Sequence, residues 1–174
     1  MRTSLVVVYT RGPSTFGCWR PSRRTIRLYR TGQDEASTDG VLHRVVVNGR
    51  FALAYSQADG MDYTIDRFRV YDLSRRRLSY VADAGPLVAP LPRNTVGAIA
   101  LSSTGVVAWG LEHVDGGCVP SETSCTRVRN VLSASAGRVR QLDESDGIDV
   151  YSVRIAGATI TWRRAGIAQS APLT

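Results

Sequence analysis

The chain contains no lysine, and all 22 of its basic residues are arginine. Such a preference is typical of proteins encoded by GC-rich bacterial genomes. With 15 acidic residues the net charge is +7 and the pI is near 9.9, values that can indicate nucleic-acid binding. No aromatic-interleaved basic stripe or recognition helix accompanies the charge. Composition explains it better, and we expect no specific nucleic-acid partner.

Long apolar runs are also missing. No segment approaches the roughly 18 apolar residues of a membrane-spanning helix, so no transmembrane segment is predicted. Leu5–Tyr9 is shorter than the apolar core of a signal peptide, so none is expected in this chain. The only periodicity has strand length, which predicts an all-β fold in one domain.

The region Val41–Val81 contains four predicted strands. Val41–Val47 and Phe51–Tyr55 flank Asn48-Gly49, a pair that strongly favours a hairpin turn because both residues tolerate positive φ. Asp66–Leu73 alternates between apolar and polar residues, and Leu78–Val81 follows a turn that contains three arginines. We therefore predict a four-stranded antiparallel unit.

This unit recurs along the chain. An aromatic residue ends the second strand of each copy at intervals of about 50 residues, a period typical of β-propeller blades. These aromatics are Tyr9, Tyr55, Trp109 and Trp162. Turns recur with them, at Asn48-Gly49, Thr104-Gly105 and Ala156-Gly157. We expect the aromatics to be buried at equivalent positions.

The repeats predict a single all-β domain of about three blade-equivalents. A partial blade at 1–40 precedes blades at 41–94 and 95–149, and a partial blade at 150–174 ends in a tail without a strand. This number is below the four to eight blades of a closed propeller. The chain is then a fragment of a longer propeller, or it self-associates through open strand edges, or the fold differs. A β-trefoil, with three repeats of four strands, is the alternative.

VNGRFALAY followed by RFRVYDLSRRRL, and later ALSSTGVVAW, resemble the TolB-like or WD40-like propeller repeats of bacteria. In those repeats a turn precedes an apolar strand, and a strand of the Val-Tyr-Asp-Leu type follows. The resemblance covers most of the chain. It implies an extracytoplasmic scaffold that binds other proteins.

Three cysteines are present. Cys118 and Cys125 lie in one polar loop, where they suit a disulfide in an oxidising compartment, secreted or periplasmic. Zinc would require closer pairs and more histidines, and a pair of reduced surface cysteines is the alternative. Cys18 has no partner in its own repeat.

Few residues suggest chemistry. We expect His43 to be a packed strand residue, and neither it nor His113 has partners for a catalytic triad in the sequence. Two acidic clusters could supply calcium ligands, but their spacing favours solvated turns, so no metal or cofactor is predicted. The acidic residues are Asp34, Glu35, Asp39, Asp143, Glu144 and Asp146.

Charge is sorted by loop type in this scheme. One set of turns carries Arg75, Arg76 and Arg77, and the other set carries the acidic clusters, so we predict a basic end and an acidic end. Both groups are candidate binding residues. The favoured function is a non-enzymatic module that binds a protein or an anionic cell-envelope polymer. Alternatives are a propeller-type hydrolase or lyase using loop carboxylates, and a glycan-binding trefoil.

Overall fold

The computed structural model describes residues 5–31, 40–59, 64–85, 94–114 and 126–174. These residues form four antiparallel sheets, each a meander of consecutive strands. The first sheet contains β1 (Val6–Arg11), β2 (Ser14–Trp19) and β3 (Arg24–Arg30), with a 3-10 turn at Arg20–Ser22. The second contains β4 (Val41–Asn48), β5 (Phe51–Asp59), β6 (Thr64–Asp72) and β7 (Arg77–Asp83).

The third sheet contains β8 (Thr95–Leu101), β9 (Val107–Val114), β10 (Arg127–Ser135) and β11 (Arg138–Glu144). The fourth contains β12 (Ile148–Ala156), β13 (Thr159–Arg164) and β14 (Ile167–Pro172). No α-helix occurs within the described ranges, and none of their residues form a helix able to cross a membrane. The predicted all-β fold of repeated antiparallel strands is confirmed.

The predicted hairpin turns are confirmed as well. Asn48 pairs with Phe51 across the β4–β5 turn, where Gly49 has φ +56°. The β12–β13 turn contains Gly157 at φ +58°, and Gly105 lies between β8 and β9. Left-handed backbone at these turns favours glycine because a Cβ atom would clash there.

The four sheets pack on one another in chain order. β3 contacts β5, β4 and β5 contact β8, and β12 contacts β8, β9 and β10. Three apolar clusters fill the spaces between consecutive sheets. Inner strands such as β5 contribute to two clusters, because alternate side chains of a strand face opposite sides of its sheet. Ala52 and Ala54 face the first sheet, and Leu53 faces the third.

The largest cluster lies between the second and third sheets. The Phe68 ring is fully buried between Tyr55, 5.4 Å away, and Trp109, which meets it edge to face at 4.9 Å. The indole Nε1–H of Trp109 donates a 2.7 Å hydrogen bond to the Ala84 carbonyl of the second sheet. The hydrogen-bond donor of an indole buried in an apolar cluster is therefore satisfied across the interface between the two sheets.

The third and fourth sheets approach so closely that two strand positions exclude any side chain. A Cβ atom on Gly97 in β8 or on Gly110 in β9 would overlap the backbone carbonyl of Val150 in β12. Glycine in a strand interior often marks such a close approach of another backbone. These two glycines permit β12 to pack directly on the third sheet.

Two expectations about the chain ends were wrong. The predicted tail contains a strand, β14, which pairs along its length with β13. It lacks the apolar runs of the inner strands because it is largely exposed at the edge of its sheet. Tyr9 is 40% exposed and stacks on Phe16 at 5.5 Å, on the face of the first sheet that points away from the second.

The repeated aromatics are also not equivalent. Tyr55 faces forward to the third sheet, whereas Trp109 faces back to the second and Trp162 faces back to the third. The turns that precede Tyr55 and Trp109 also differ in length, because Asn48 pairs with Phe51 in one hairpin and Leu101 pairs with Val107 in the other. The distance from the turn therefore does not determine the face of the aromatic.

The Phe68 contact gives a first prediction. Phe68→Ala should lower the free energy of unfolding by about 3–5 kcal/mol, because it removes a large buried ring from the interface between two sheets. Tyr151→Ala, at a residue that is 62% exposed, should change it by less than about 0.5 kcal/mol. Urea unfolding followed by circular dichroism measures both. Equal effects would contradict the packing described.

Candidate functional site

The hairpin turns of the second and third sheets lie together at one end of the stack, which we call the turn end. Asn48 donates a 2.8 Å hydrogen bond from Nδ2 to the Leu101 carbonyl, so the β4–β5 and β8–β9 turns are adjacent. The Tyr80 hydroxyl lies 2.7 Å from the Gly105 carbonyl and 3.0 Å from that of Ala134. Strand β7 is thus fixed to both hairpins of the third sheet, at the β8–β9 turn and at the end of β10.

A cleft of about 270 Å³ opens among these four turns. Arg50 comes from the β4–β5 turn, Arg75 and Arg77 border it from the β6–β7 turn, and Thr104 and Ser135 face them from the third sheet. Arg76 lies in the same turn, exposed and with φ +53°. The structure therefore brings the predicted binding residues Arg75 and Arg77 together with Arg50 in one site, the arginine cleft.

Among the described residues, Asp72 is the one acidic residue that borders this cleft, and its side chain is only 3% exposed. It accepts hydrogen bonds from the Ser74 hydroxyl at 2.6 Å and the Arg75 backbone N–H at 3.2 Å. Its Oδ2 lies 3.4 Å from Arg50 Nε and 3.7 Å from Arg75 Nε. Burial alone would raise the pKa of Asp72, but these hydrogen bonds and the two guanidinium groups lower it.

Asp72 positions the arginines without neutralising the cleft. Arg50 is held on the other side by the Phe51 ring, with its guanidinium carbon 5.0 Å from the ring centroid, a cation–π contact. The side chains of Arg50 and Arg75 remain 45% and 59% exposed. One carboxylate faces three arginines of the cleft, so a surplus of positive charge is available to an anion from solvent.

The opposite end of the sheets, the loop end, carries the other predicted binding residues that the structure describes. Asp143 accepts hydrogen bonds from Trp162 Nε1 at 2.8 Å and from Arg164 at 3.1 Å. Glu144 accepts one from Gln141 at 3.0 Å, and the backbone carbonyl of Asp146 accepts one from Arg129 at 2.9 Å. The Asp143 carboxylate thus contributes to structure by tying β11 to β13.

Other predicted residues lie outside the described ranges. They are Asp34, Glu35 and Asp39 of the first acidic cluster, and Cys118 and Cys125 of the expected disulfide. Cys18 is described as a free, half-buried cysteine of β2. The disulfide and the first cluster stay predictions.

The prediction of a basic end and an acidic end considered residues of turns and loops, and it omitted the arginines within the strands. At the loop end, Glu112 binds Arg129 at 2.6 Å and Arg127 at 2.8 Å. Burial opposes ionisation of Glu112, but both arginines lower its pKa. Asp83 is likewise paired with Arg67 at 3.0 Å. Glu112 and Asp83 are therefore largely neutralised, as Asp143 is by Arg164, and a strong positive charge is found in the arginine cleft.

A second polar group, missed by the sequence analysis, lies beside a cleft of about 450 Å³ between β4, β5 and β8. Asp66 is 2% exposed, and its Oδ1 accepts hydrogen bonds from the Tyr55 hydroxyl at 2.7 Å and from Gln57 at 3.1 Å. Burial raises the pKa of Asp66. These hydrogen bonds, a further one from Asn94 and the nearby His43 lower the pKa, but by less than burial raises it. Burial and Asp66 together raise the pKa of Tyr55.

His43 is exposed, contrary to the expectation of a packed residue, and its ring lies 5.4 Å from that of Tyr55. The β4–β5 register shifts between Leu42 and Arg44, so His43 lies at an irregular pair and departs from the alternation. Within the described ranges no three His, Cys, Asp or Glu side chains form a metal-binding group.

Comparison with known proteins identifies no relative. No family model, no curated protein and no solved structure matches the chain. Any function must therefore be argued from the geometry of the clefts.

The two buried carboxylates, Asp66 and Asp72, predict opposite pH dependences of protein stability. The raised pKa of Asp66 means that its protonated form is favoured in the folded state, so its contribution is complete below the ordinary value of 3.8 and is lost as pH rises. Asp66→Asn keeps an acceptor for Tyr55 and Gln57. The stability of this variant relative to wild type should therefore increase as the pH rises from 3 to 7.

Asp72→Asn is the matched control. The pKa of Asp72 is lowered, so its contribution is present above 3.8 and is lost as pH falls. This variant should therefore become less stable than wild type as pH rises over the same range. Urea unfolding at several pH values measures both differences, and parallel pH profiles for the two variants would refute the assignment.

Proposed function

We propose that this chain is a propeller-type binding module that uses the arginine cleft to bind an anionic polymer of the cell envelope. The observation that carries the proposal is the convergence of Arg50, Arg75 and Arg77 on one cleft around a single buried carboxylate. The propeller assignment is supported by four meander sheets packed in chain order with the second and third sharing one turn end. A scaffold of this kind presents turns from neighbouring sheets on one rigid surface.

The chemistry of the cleft suits phosphate groups. Arginine presents planar N–H donors that match phosphate oxygens, and a preformed orientation reduces the entropy lost on binding. Asp72 and Phe51 supply that orientation for Arg50. The hydroxyls of Thr104 and Ser135 on the facing wall add neutral donors. A phosphodiester chain could place one phosphate in the cleft and others along the exposed Arg76.

An extracytoplasmic location belongs to the same proposal. It is supported by the resemblance to bacterial propeller repeats and by the spacing of Cys118 and Cys125. A phosphodiester polymer of the cell envelope would meet the protein there. The net charge of +7 would favour approach of such a polymer and raise the association rate.

Binding of poly(glycerol phosphate) tests the proposal. Arg75→Gln/Arg77→Gln should weaken binding by about tenfold or more, because a hydrogen bond to a charged group contributes about 1.5–3 kcal/mol. The matched control is Arg30→Gln/Arg163→Gln, which removes the same charge from exposed positions outside the cleft. Its effect should stay within about threefold at 0.15 M salt, where distant charges are screened.

Isothermal titration calorimetry of the three proteins gives the affinities. Unfolding midpoints measured beside them exclude a general loss of structure. Equal weakening by the two double variants would show that net charge alone governs binding and would remove the cleft from the proposal. Failure of wild type to bind would refute the polymer as ligand.

A further inference from the structure

A third cleft, of about 420 Å³, opens between the second and third sheets at the loop end. Its apolar walls are formed by Trp109, Leu111 and Leu132, with Val139 at the exposed mouth. The main cluster between the two sheets thus continues into an open groove. A straight aliphatic group would bury its surface there at low cost.

Asn130 provides an unfilled polar contact in this groove. The residue lines the cleft and is 4% exposed, yet its Oδ1 has no hydrogen-bond partner. Its Nδ2 lies 3.5 Å from His113 Nδ1. A buried acceptor without a donor costs about 1–3 kcal/mol, so such a group in a native site calls for an explanation. A ligand that donates an N–H to Oδ1 would satisfy it.

The charge of the groove defines the donor. Asp83 and Glu144 both border it, and no arginine is among its lining residues that the structure describes. Asp83 is paired with Arg67, whereas Glu144 accepts only a neutral hydrogen bond from Gln141 among its described contacts. The groove therefore joins apolar walls to acceptors with net negative charge. A lysine side chain has this combination, with an aliphatic stem, a cationic end and three N–H donors.

We propose that this groove binds a lysine side chain of a partner polypeptide. The stem lies against Leu132 and Val139, and the ammonium group donates to Asn130 Oδ1 and to the Glu144 carboxylate. The site is at the opposite end from the arginine cleft and does not depend on it. The protein thereby has one end for an anionic ligand and another for a basic peptide.

Three peptides of the form acetyl-Gly-Gly-X-Gly-Gly-amide test the proposal, with X as lysine, norleucine or Nε-acetyl-lysine. Norleucine keeps the stem without the ammonium group, and the acetyl group removes its charge. The lysine peptide should bind at least about fivefold more tightly than either, since charge-assisted hydrogen bonds are roughly twice as strong as neutral ones. Chemical shifts of the Trp109 indole N–H, which borders the groove, report occupancy.

Two variants and a control locate the site. Glu144→Gln and Asn130→Leu should each weaken binding of the lysine peptide by about fivefold or more. Asn130→Leu should leave the unfolding midpoint unchanged or higher, because it removes an unsatisfied acceptor. Asp146→Asn removes the same charge as Glu144→Gln from a residue outside the groove and should change affinity by less than about 1.5-fold.

Equal affinity for the lysine and norleucine peptides would overturn the proposal, because the acceptors would then play no part. Equal losses in Glu144→Gln and Asp146→Asn would also overturn it, since they would indicate a diffuse electrostatic effect. If the chemical shift of the Trp109 indole N–H changed on addition of a neutral saccharide but not of the lysine peptide, the groove would be reassigned to a hydroxylated ligand.

Discussion

The contact of Phe68 with Tyr55 and Trp109 is the interaction on which the arginine cleft and the groove at the loop end depend. It fixes the second sheet against the third, because the rings come from both sheets and are buried together. Interiors this close-packed transmit small displacements instead of absorbing them. A shift of one sheet along the other would separate Arg50 from Thr104 at the turn end and Ala84 from Trp109 at the loop end.

Polar contacts at both edges of this core set its register. Asn48 and Tyr80 bind carbonyls of the third sheet at the turn end, and the Trp109 indole binds a carbonyl of the second sheet near the loop end. Each such hydrogen bond adds only about 1 kcal/mol of net stability. Their larger effect is specificity, since sliding of the sheets would leave the buried Trp109 indole unsatisfied.

Sequence periodicity could predict the strands and turns because both are local properties. Asn48-Gly49 predicts its turn from its own conformational preferences, and the run Phe51–Tyr55 predicts a strand covered on both faces. The face of an aromatic could not be predicted in this way. Tyr55 and Trp109 follow their turns by different numbers of residues, and only packing shows that they meet in one cluster.

The clefts were predictable in part. The arginines of one turn were evident, but their convergence with Arg50 depends on the packing of two sheets. Asp66 and Asn130 escaped notice because each looks like an ordinary polar strand residue until its burial is known. Neutralisation of Glu112 by arginines of β10 was likewise invisible without the β9–β10 register.

Chemical-shift mapping with short poly(glycerol phosphate) tests the central claim, that the turn end is the anion-binding surface, most directly. Backbone and arginine Nε resonances should move at Arg50, at Arg75–Arg77 and around Gly105 in the facing turn, and the shifts should diminish as salt is raised. Resonances of Asp143 and Glu144 at the loop end should stay unchanged. Shifts spread over arginines of all four sheets, or centred on the loop end, would contradict the account.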